Sequence, residues 1–286
     1  MEKISMYQVS SSSDSKYFSR LLNLIGSINK SNDCISSIEV WDLGLTKLQK
    51  RILTQHGISI KSISNFTPHW NQCYTWKLFV FKNSDSKLFL HLDAGNIVKG
   101  DLLHVFEKIS RDGYFLIDQG QRLSDITPYD YKLKFNPVVN INDSVFAAGN
   151  IGLNKSRKDI LAAIDDAYKA AVDGFCLGFS EIEMYRDTDG IGIKRNCKIF
   201  RHDQTVINLI FRKWIRIEKI HDHKIYASIM KNSESVIFNN RGYSYDYISY
   251  FSENKFYKFF LPLYCHLIDT KIRATALFKR IIRVFN

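Results

Sequence analysis

The chain has 286 residues, of which 45% are hydrophobic, enough to bury a sizeable core and to exclude a disordered chain. Its five cysteines, Cys34, Cys73, Cys176, Cys197 and Cys265, are scattered without a CxxC pair. That excludes a disulfide scaffold or a zinc ribbon and fits a reducing, cytoplasmic compartment. The opening MEKISMYQVSSSSDSK lacks an apolar core of signal-peptide length, and no apolar run approaches about 18 residues, so neither export nor a membrane span is predicted.

The net charge of +11 is unevenly placed. Residues 1–190 carry 22 Lys/Arg and 22 Asp/Glu, whereas residues 191–286 carry 18 Lys/Arg against 7 Asp/Glu. A basic final third suggests an anionic partner: a phosphate-bearing ligand, nucleic acid or an acidic membrane surface. A well-solvated basic surface explains the same numbers.

Taken in chain order, Ile4–Val9 reads as a short strand, Tyr17–Ile28 as a helix through Phe18, Leu21, Leu22, Ile25 and Ile28, and Ser37–Trp41 as a second strand. A helix capped by Thr46, a strand near Ile58–Ile60, a helix through Cys73–Phe81 and the strand Leu88–Leu92 follow. Asp93 closes that strand, with only Ala94 and Gly95 after it, so room is left for a ligand. Gly100-Asp101 opens a helix to about Lys108, and Tyr114–Ile117 reads as a strand. Gln119–Tyr131 lacks periodicity and reads as a loop. Ser144–Leu153 mixes apolar residues with glycine, and Arg157–Val172 reads as a helix capped by Ser156. Residues 174–198 read as a mobile active-site loop. This alternation predicts an α/β fold, a mostly parallel sheet flanked by helices with ligands beyond the carboxyl ends of the strands.

Four short stretches carry more than secondary structure: Val40-Trp-Asp-Leu-Gly-Leu-Thr46, His91-Leu-Asp-Ala-Gly-Asn96, Ser144-Val-Phe-Ala-Ala-Gly-Asn-Ile-Gly-Leu153 and Phe200-Arg-His-Asp-Gln-Thr-Val206. In this order they resemble nucleotide-sugar-dependent glycosyltransferases of the GT-A fold, particularly bacterial enzymes that assemble capsular or lipopolysaccharide glycans. The resemblance spans about residues 4–214. A GT-A-like domain is expected over 1–254, and the mix of apolar and basic residues, outside the resemblance, predicts a basic amphipathic helical segment over 255–286. The resemblance also implies a nucleotide diphosphate sugar as donor, UDP-linked by default, and a glycan or lipid-linked acceptor.

By the same resemblance, Asp93, Ala94, Gly95, Asn96 and Arg201 lie at the donor. Gly149, Asn150, His202 and Gln204 lie at the sugar or acceptor, and Asp203 positions the attacking hydroxyl or takes its proton. Mg²⁺ or Mn²⁺ would neutralise the diphosphate through Asp93, with His223 as a later ligand. Here the chain departs from the pattern, because Gly95 stands where a DxD motif has its second Asp. Arg195, Lys198 and Arg201 are the alternative diphosphate clamps. A strand through His221-Asp222-His223 would point both histidines to one face; surface histidines in a polar loop are the plain alternative.

The plain alternative for Asp203 is helix capping. Asp42 is assigned to a turn or to the core, Trp70 and Trp76 to the core, and Gly149 and Gly152 to a close approach of backbone to the sugar or acceptor, with β-bulges as the plain alternative. Two other functions stay open, a basic nucleic-acid-binding protein and a non-catalytic GT-A-like partner protein. No nucleic-acid motif accompanies the charge, and the excess avoids the α/β half. From Lys255 onward, bulky apolar residues alternate with cations, which suits a helix lying along an anionic membrane at the inner face of the cell or packing on the α/β domain.

Overall fold

The computed structural model describes residues 7–135, 138–178, 197–228, 234–239 and 245–285, with residues 228 and 278–285 described by backbone alone. In chain order the elements are β1 (Gln8–Ser13), α1 (Phe18–Ser31), β2 (Ser37–Asp42), α2 (Lys47–Gln55), β3 (Ser59–Ser62), α3 (Trp76–Asn83) and β4 (Leu88–Leu92). Next come β5 (Asn96–Val98), α4 (Leu103–Asp112), β6 (Tyr114–Phe115), β7 (Asp118–Arg122), α5 (Leu123–Ile126) and α6 (Tyr129–Phe135). They are followed by β8 (Ser144–Phe146), β9 (Asn150–Asn154), α7 (Lys158–Val172) and α8 (Asp203–Trp214). The chain ends with α9 (His223–Tyr226), β10 (Ala227–Ser228), β11 (Ile237–Asn239) and α10 (Lys255–Phe285). The main sheet has the strand order β3-β2-β1-β4-β9-β6; β1, β2 and β3 run parallel and β6 antiparallel to β9, which makes a mainly parallel α/β fold.

The chain divides into two compact units. Unit 1 comprises residues 1–62, 92–103 and 224–286, and unit 2 comprises residues 63–91 and 104–223. In unit 1, α1 buries Phe18, Leu21, Leu22, Ile25 and Ile28, the residues whose spacing announces it. Thr46 caps α2 through a reciprocal box: its hydroxyl accepts from Gln49 N at 3.2 Å, and Gln49 Oε1 accepts from Thr46 N at 2.9 Å. Asp42 takes the turn role expected of it, accepting from Gly44 N at 2.8 Å and Leu45 N at 2.7 Å. Gly26 lets α1 approach the chain at Tyr247, whose carbonyl oxygen would lie 1.9 Å from a Cβ there.

Several expectations are corrected. β1 is built from Gln8–Ser13 rather than Ile4–Val9, and residues 1–6 lie outside the described residues. Its serines are buried because an interior strand is covered on both faces, where small side chains fit whatever their polarity. The stretch 119–131 is not a loop but β7, α5 and part of α6. β7 is polar because it is mostly exposed, and its pairing with β8 is made by backbone, which leaves no apolar period to read. Ser156 does not cap α7; Arg157 holds that position without a side-chain cap, and Ser156 N binds Asn154 Oδ1 at 3.1 Å.

The loop expectation over 174–198 falls largely outside the described residues, as does Arg195. Among the described residues no helix is long and apolar enough to cross a membrane.

Candidate active site

The backbone that leads into α3 is unusual. Cys73 and Tyr74 have φ of 49° and 60°, a left-handed region that non-glycine residues rarely occupy. One turn on, Lys77 is buried, with its Nζ 3.0 Å from the carboxylate of Asp203. The same ammonium donates to the Ala148 carbonyl at 3.3 Å and lies 5.6 Å from the ring of Tyr74 and of Trp76. One cation therefore ties α3 to the β8–β9 connection and to the start of α8, all within unit 2.

Asp203 is the first residue of α8 and is 5% exposed. It is not the cap. His202 holds that position, with φ of 49° and no side-chain cap bond, while its Nδ1–H donates to the Cys176 carbonyl at 2.9 Å. Two further bonds hold the helix start. Arg201 N donates to Thr205 Oγ1 at 3.1 Å, and that hydroxyl donates to Ile126 O at 3.2 Å. Asn208 then binds Phe146 as a neighbouring strand would: Oδ1 accepts from its N–H at 3.0 Å and Nδ2 donates to its carbonyl at 2.9 Å. This pins α8 to β8 two residues before Ala148.

Cys73, Tyr74 and His202 are the three non-glycine residues of positive φ among the described residues, and they flank the two members of the ion pair. Close in sequence to Ala148 and Asp203, the atoms Asn150 Oδ1, Arg201 Nε and Gln204 Nε2 are buried without a hydrogen-bond partner among the described residues. Burial pushes the Cys176 thiol well up from its ordinary range, and the charge of Asp203 adds to that. Cys176 is thus held as a neutral, buried thiol.

In unit 1, Asp93 follows β4 directly and is half-buried. Its carbonyl closes a tight turn, accepting from Asn96 N at 2.9 Å and from Asn96 Nδ2 at 3.0 Å. Ala94 and Asn96 are buried, and Asn96 pairs with Asn239 as β5 meets β11.

No family model matches the chain, and no curated protein matches it in sequence. Solved structures do. The bifunctional glycosyltransferase WbbM matches over 90% of this chain and 51% of its own, at 12% identity and a TM-score of 0.57. The galactosyltransferase LgtC, solved with donor and acceptor sugar analogues, matches over 82% of this chain and 87% of its own, at 12% identity and a TM-score of 0.52. Mouse xyloside xylosyltransferase 1 matches over 82% and 97%, at 7% identity and a TM-score of 0.51. The chain has a GT-A-type fold. It spans about half the length of WbbM.

Within this GT-A-type fold, unit 2 holds Gly149, Asn150, Arg201, His202, Asp203 and Gln204, and unit 1 holds Asp93 to Asn96. Within unit 1 the donor set for a divalent cation is incomplete. Asp93 supplies one carboxylate, Gly95 supplies no side chain, and the Asn96 amide donates its Nδ2 to the carbonyl of Asp93, so its oxygen is the one further side-chain donor atom this stretch offers. Among the described residues no three His, Cys, Asp or Glu side chains converge to hold a metal ion.

The two histidines of His221-Asp222-His223 do not share a strand face. His221 makes a single bridge to Ile117 and stacks on Phe115 with ring centres 4.9 Å apart, whereas His223 opens the four-residue α9 and is half-exposed. Gly152 faces packing instead of a ligand, since a Cβ there would lie 2.4 Å from Ile109. Lys198 is exposed and paired with Asp125 at 2.8 Å. Trp70 and Trp76 are half-buried. Lys77 was missed by sequence reasoning; its one signal is a lone charge inside the apolar run Trp76-Lys-Leu-Phe-Val-Phe81.

Proposed function

We propose that this chain is a glycosyltransferase that moves a sugar from a nucleotide diphosphate sugar, a UDP-sugar by default, to a glycan or lipid-linked acceptor. The fold supports the class. The observation that carries the reading is the buried Lys77–Asp203 pair flanked by three strained residues. Burying two charges costs several kcal/mol of desolvation per ion, and backbone strain costs about 1–3 kcal/mol per residue. Neither is needed to close a core, and backbone strain of this kind clusters at active sites and ligand clamps.

On this reading Asp203 accepts a hydrogen bond from a sugar hydroxyl, and Lys77 holds the carboxylate in the orientation that does so. Asn150 Oδ1 is a further acceptor, and Arg201 Nε and Gln204 Nε2 are further donors, which matches the paired donor and acceptor character of hydroxyl groups. His202 positions the segment through Cys176, and Gly149 leaves the backbone beside Asn150 unshielded. Asp93, Ala94, Gly95 and Asn96, at the end of β4, are assigned to the donor. None of the five cysteines is assigned to a disulfide, and we assign the chain to a reducing compartment such as the cytoplasm. The product would belong to bacterial surface polysaccharide synthesis.

The test is a thermal-shift series of nucleotide sugars, with and without Mn²⁺, followed by nucleotide diphosphate release in the presence of glycan acceptors. A ligand present at about 100 times its Kd adds about 2.7 kcal/mol of stability, a shift readily seen. Stabilisation by one nucleotide sugar, with turnover, supports the reading. Stabilisation without turnover supports a non-catalytic partner protein. Stabilisation by oligonucleotides alone overturns the assignment.

A further inference from the structure

α10 has two contrasting faces. On one, Leu261, Cys265 and Asp269 recur every four residues and are buried. Asp269 accepts from the Ser19 hydroxyl on α1 at 3.0 Å and from the Tyr245 hydroxyl at 2.7 Å, which fixes the helix in rotation about its own axis. The opposite face carries Phe256 at 64% exposure, Phe259 at 77%, Leu263 at 52%, Leu267 at 60% and Leu277 at 60%. Thr270 and Ala274, also exposed, continue the row between the last two. Single exposed apolar residues are ordinary, but a contiguous row along one helix face marks a docking surface.

Charge identifies what docks. α10 contains Lys255, Lys258, Lys271, Arg273, Lys279, Arg280 and Arg283, and its one acid, Asp269, is buried on the inner face. At about 100° per residue, Lys255 and Arg273 lie roughly a quarter turn to one side of the apolar row and Lys271 to the other. Cations so placed lay their stems along an apolar surface and keep their heads in a polar layer. An anionic bilayer offers both an acyl boundary for the row and headgroups for its flanks. Nucleic acid offers no apolar phase, and a second copy of the chain would bring like-charged flanks together.

We infer that this row docks α10 in the plane of an anionic lipid bilayer, with Phe256, Phe259, Leu263, Leu267 and Leu277 at the acyl boundary. The inference rests on α10 alone, so it stands or falls separately from the glycosyltransferase reading. If both hold, the chain works beside a lipid-linked acceptor.

The test is co-sedimentation of the full chain with vesicles of phosphatidylcholine alone or of phosphatidylcholine and phosphatidylglycerol in equal amounts. Binding to the anionic vesicles is expected, with little to the neutral ones. Raising NaCl from about 0.1 M to about 1 M shortens the screening length from about 10 Å to about 3 Å and should release most of the protein. Phe259→Ser with Leu263→Ser should cut binding about ten-fold or more, and Lys271→Gln with Arg273→Gln several-fold. Both pairs replace exposed side chains, so circular dichroism should be unchanged. Equal, negligible sedimentation with both vesicle types overturns the inference. So does a dimer in sedimentation equilibrium that Phe259→Ser/Leu263→Ser splits, which would make the row a self-association face.

Discussion

Replacing Lys77 by Met removes the cation while keeping most of the apolar stem that α3 buries. Asp203 then remains with its carboxylate 5% exposed and its partner at 3.0 Å gone. Breaking a buried pair from one side costs about 3–5 kcal/mol, because the remaining charge loses its compensation but not its burial. Total stabilities are about 5–15 kcal/mol, so the variant should unfold at clearly lower urea. The double variant Lys77→Met/Asp203→Leu buries no charge and should regain most of that loss, since apolar replacement of a buried pair is often neutral. Urea unfolding of the four proteins forms a double-mutant cycle, with a coupling of about 2 kcal/mol or more expected. In the glycosyltransferase reading the double variant is folded and inactive, which separates the ligand role from a structural one. A Lys77→Met protein destabilised by less than about 1 kcal/mol would refute the account of the pair. A double variant with normal turnover would refute its assignment to the site.

Three further outcomes are expected. The His221 imidazole is pushed down from 6.5 to about 4 by burial and then by Lys108, Lys219 and Arg111, against the opposing pull of Asp112. The unfolded chain therefore takes up the proton first, and stability present above pH 6.5 should fall towards pH 4 by at most about 3 kcal/mol, a slope that His221→Phe should flatten in urea titrations. Gly26→Ala places a Cβ 1.9 Å from the Tyr247 carbonyl oxygen, so α1 and that segment must separate, at about 1–3 kcal/mol or more by thermal unfolding. Asp93→Ala should change stability by only about 1 kcal/mol and abolish nucleotide-sugar binding; normal donor affinity in the folded variant would remove Asp93 from the donor site.

Where local chemistry decides an element, the sequence is enough to place it. β4 is Leu88–Leu92 as read, because an apolar run bounded by Lys87 and Asp93 has only one sheet-compatible reading. α2 begins where Thr46 and Gln49 form their box. Elements made by partners are different. β1 is a run of serines that would be a loop in isolation, and it becomes a buried strand because β2 pairs with it in parallel from Gln8↔Ser37 to Ser13↔Asp42. β7 has no apolar period because its pairing with β8 is a matter of backbone and its side chains face mostly outward.

The site divides along the same line. Asp203 stands out in sequence because a charge precedes an apolar helix, but capping and ligand binding need the same residue there, and the structure shows only that the left-handed His202 takes the cap position itself. Lys77 cannot be read from its surroundings, since a lysine on a short helix ordinarily points to water. It is buried because a carboxylate far along the chain, held by Asn208 against β8, arrives beside it. The strain at Cys73 and Tyr74 has no compositional mark at all, since neither is glycine or asparagine. A motif search therefore finds one half of a charged pair and overlooks the half that orients it. Because Gly95, by the sequence resemblance, stands where a metal motif has its second acid, that buried cation is the feature around which the proposed ligand contacts are most usefully tested.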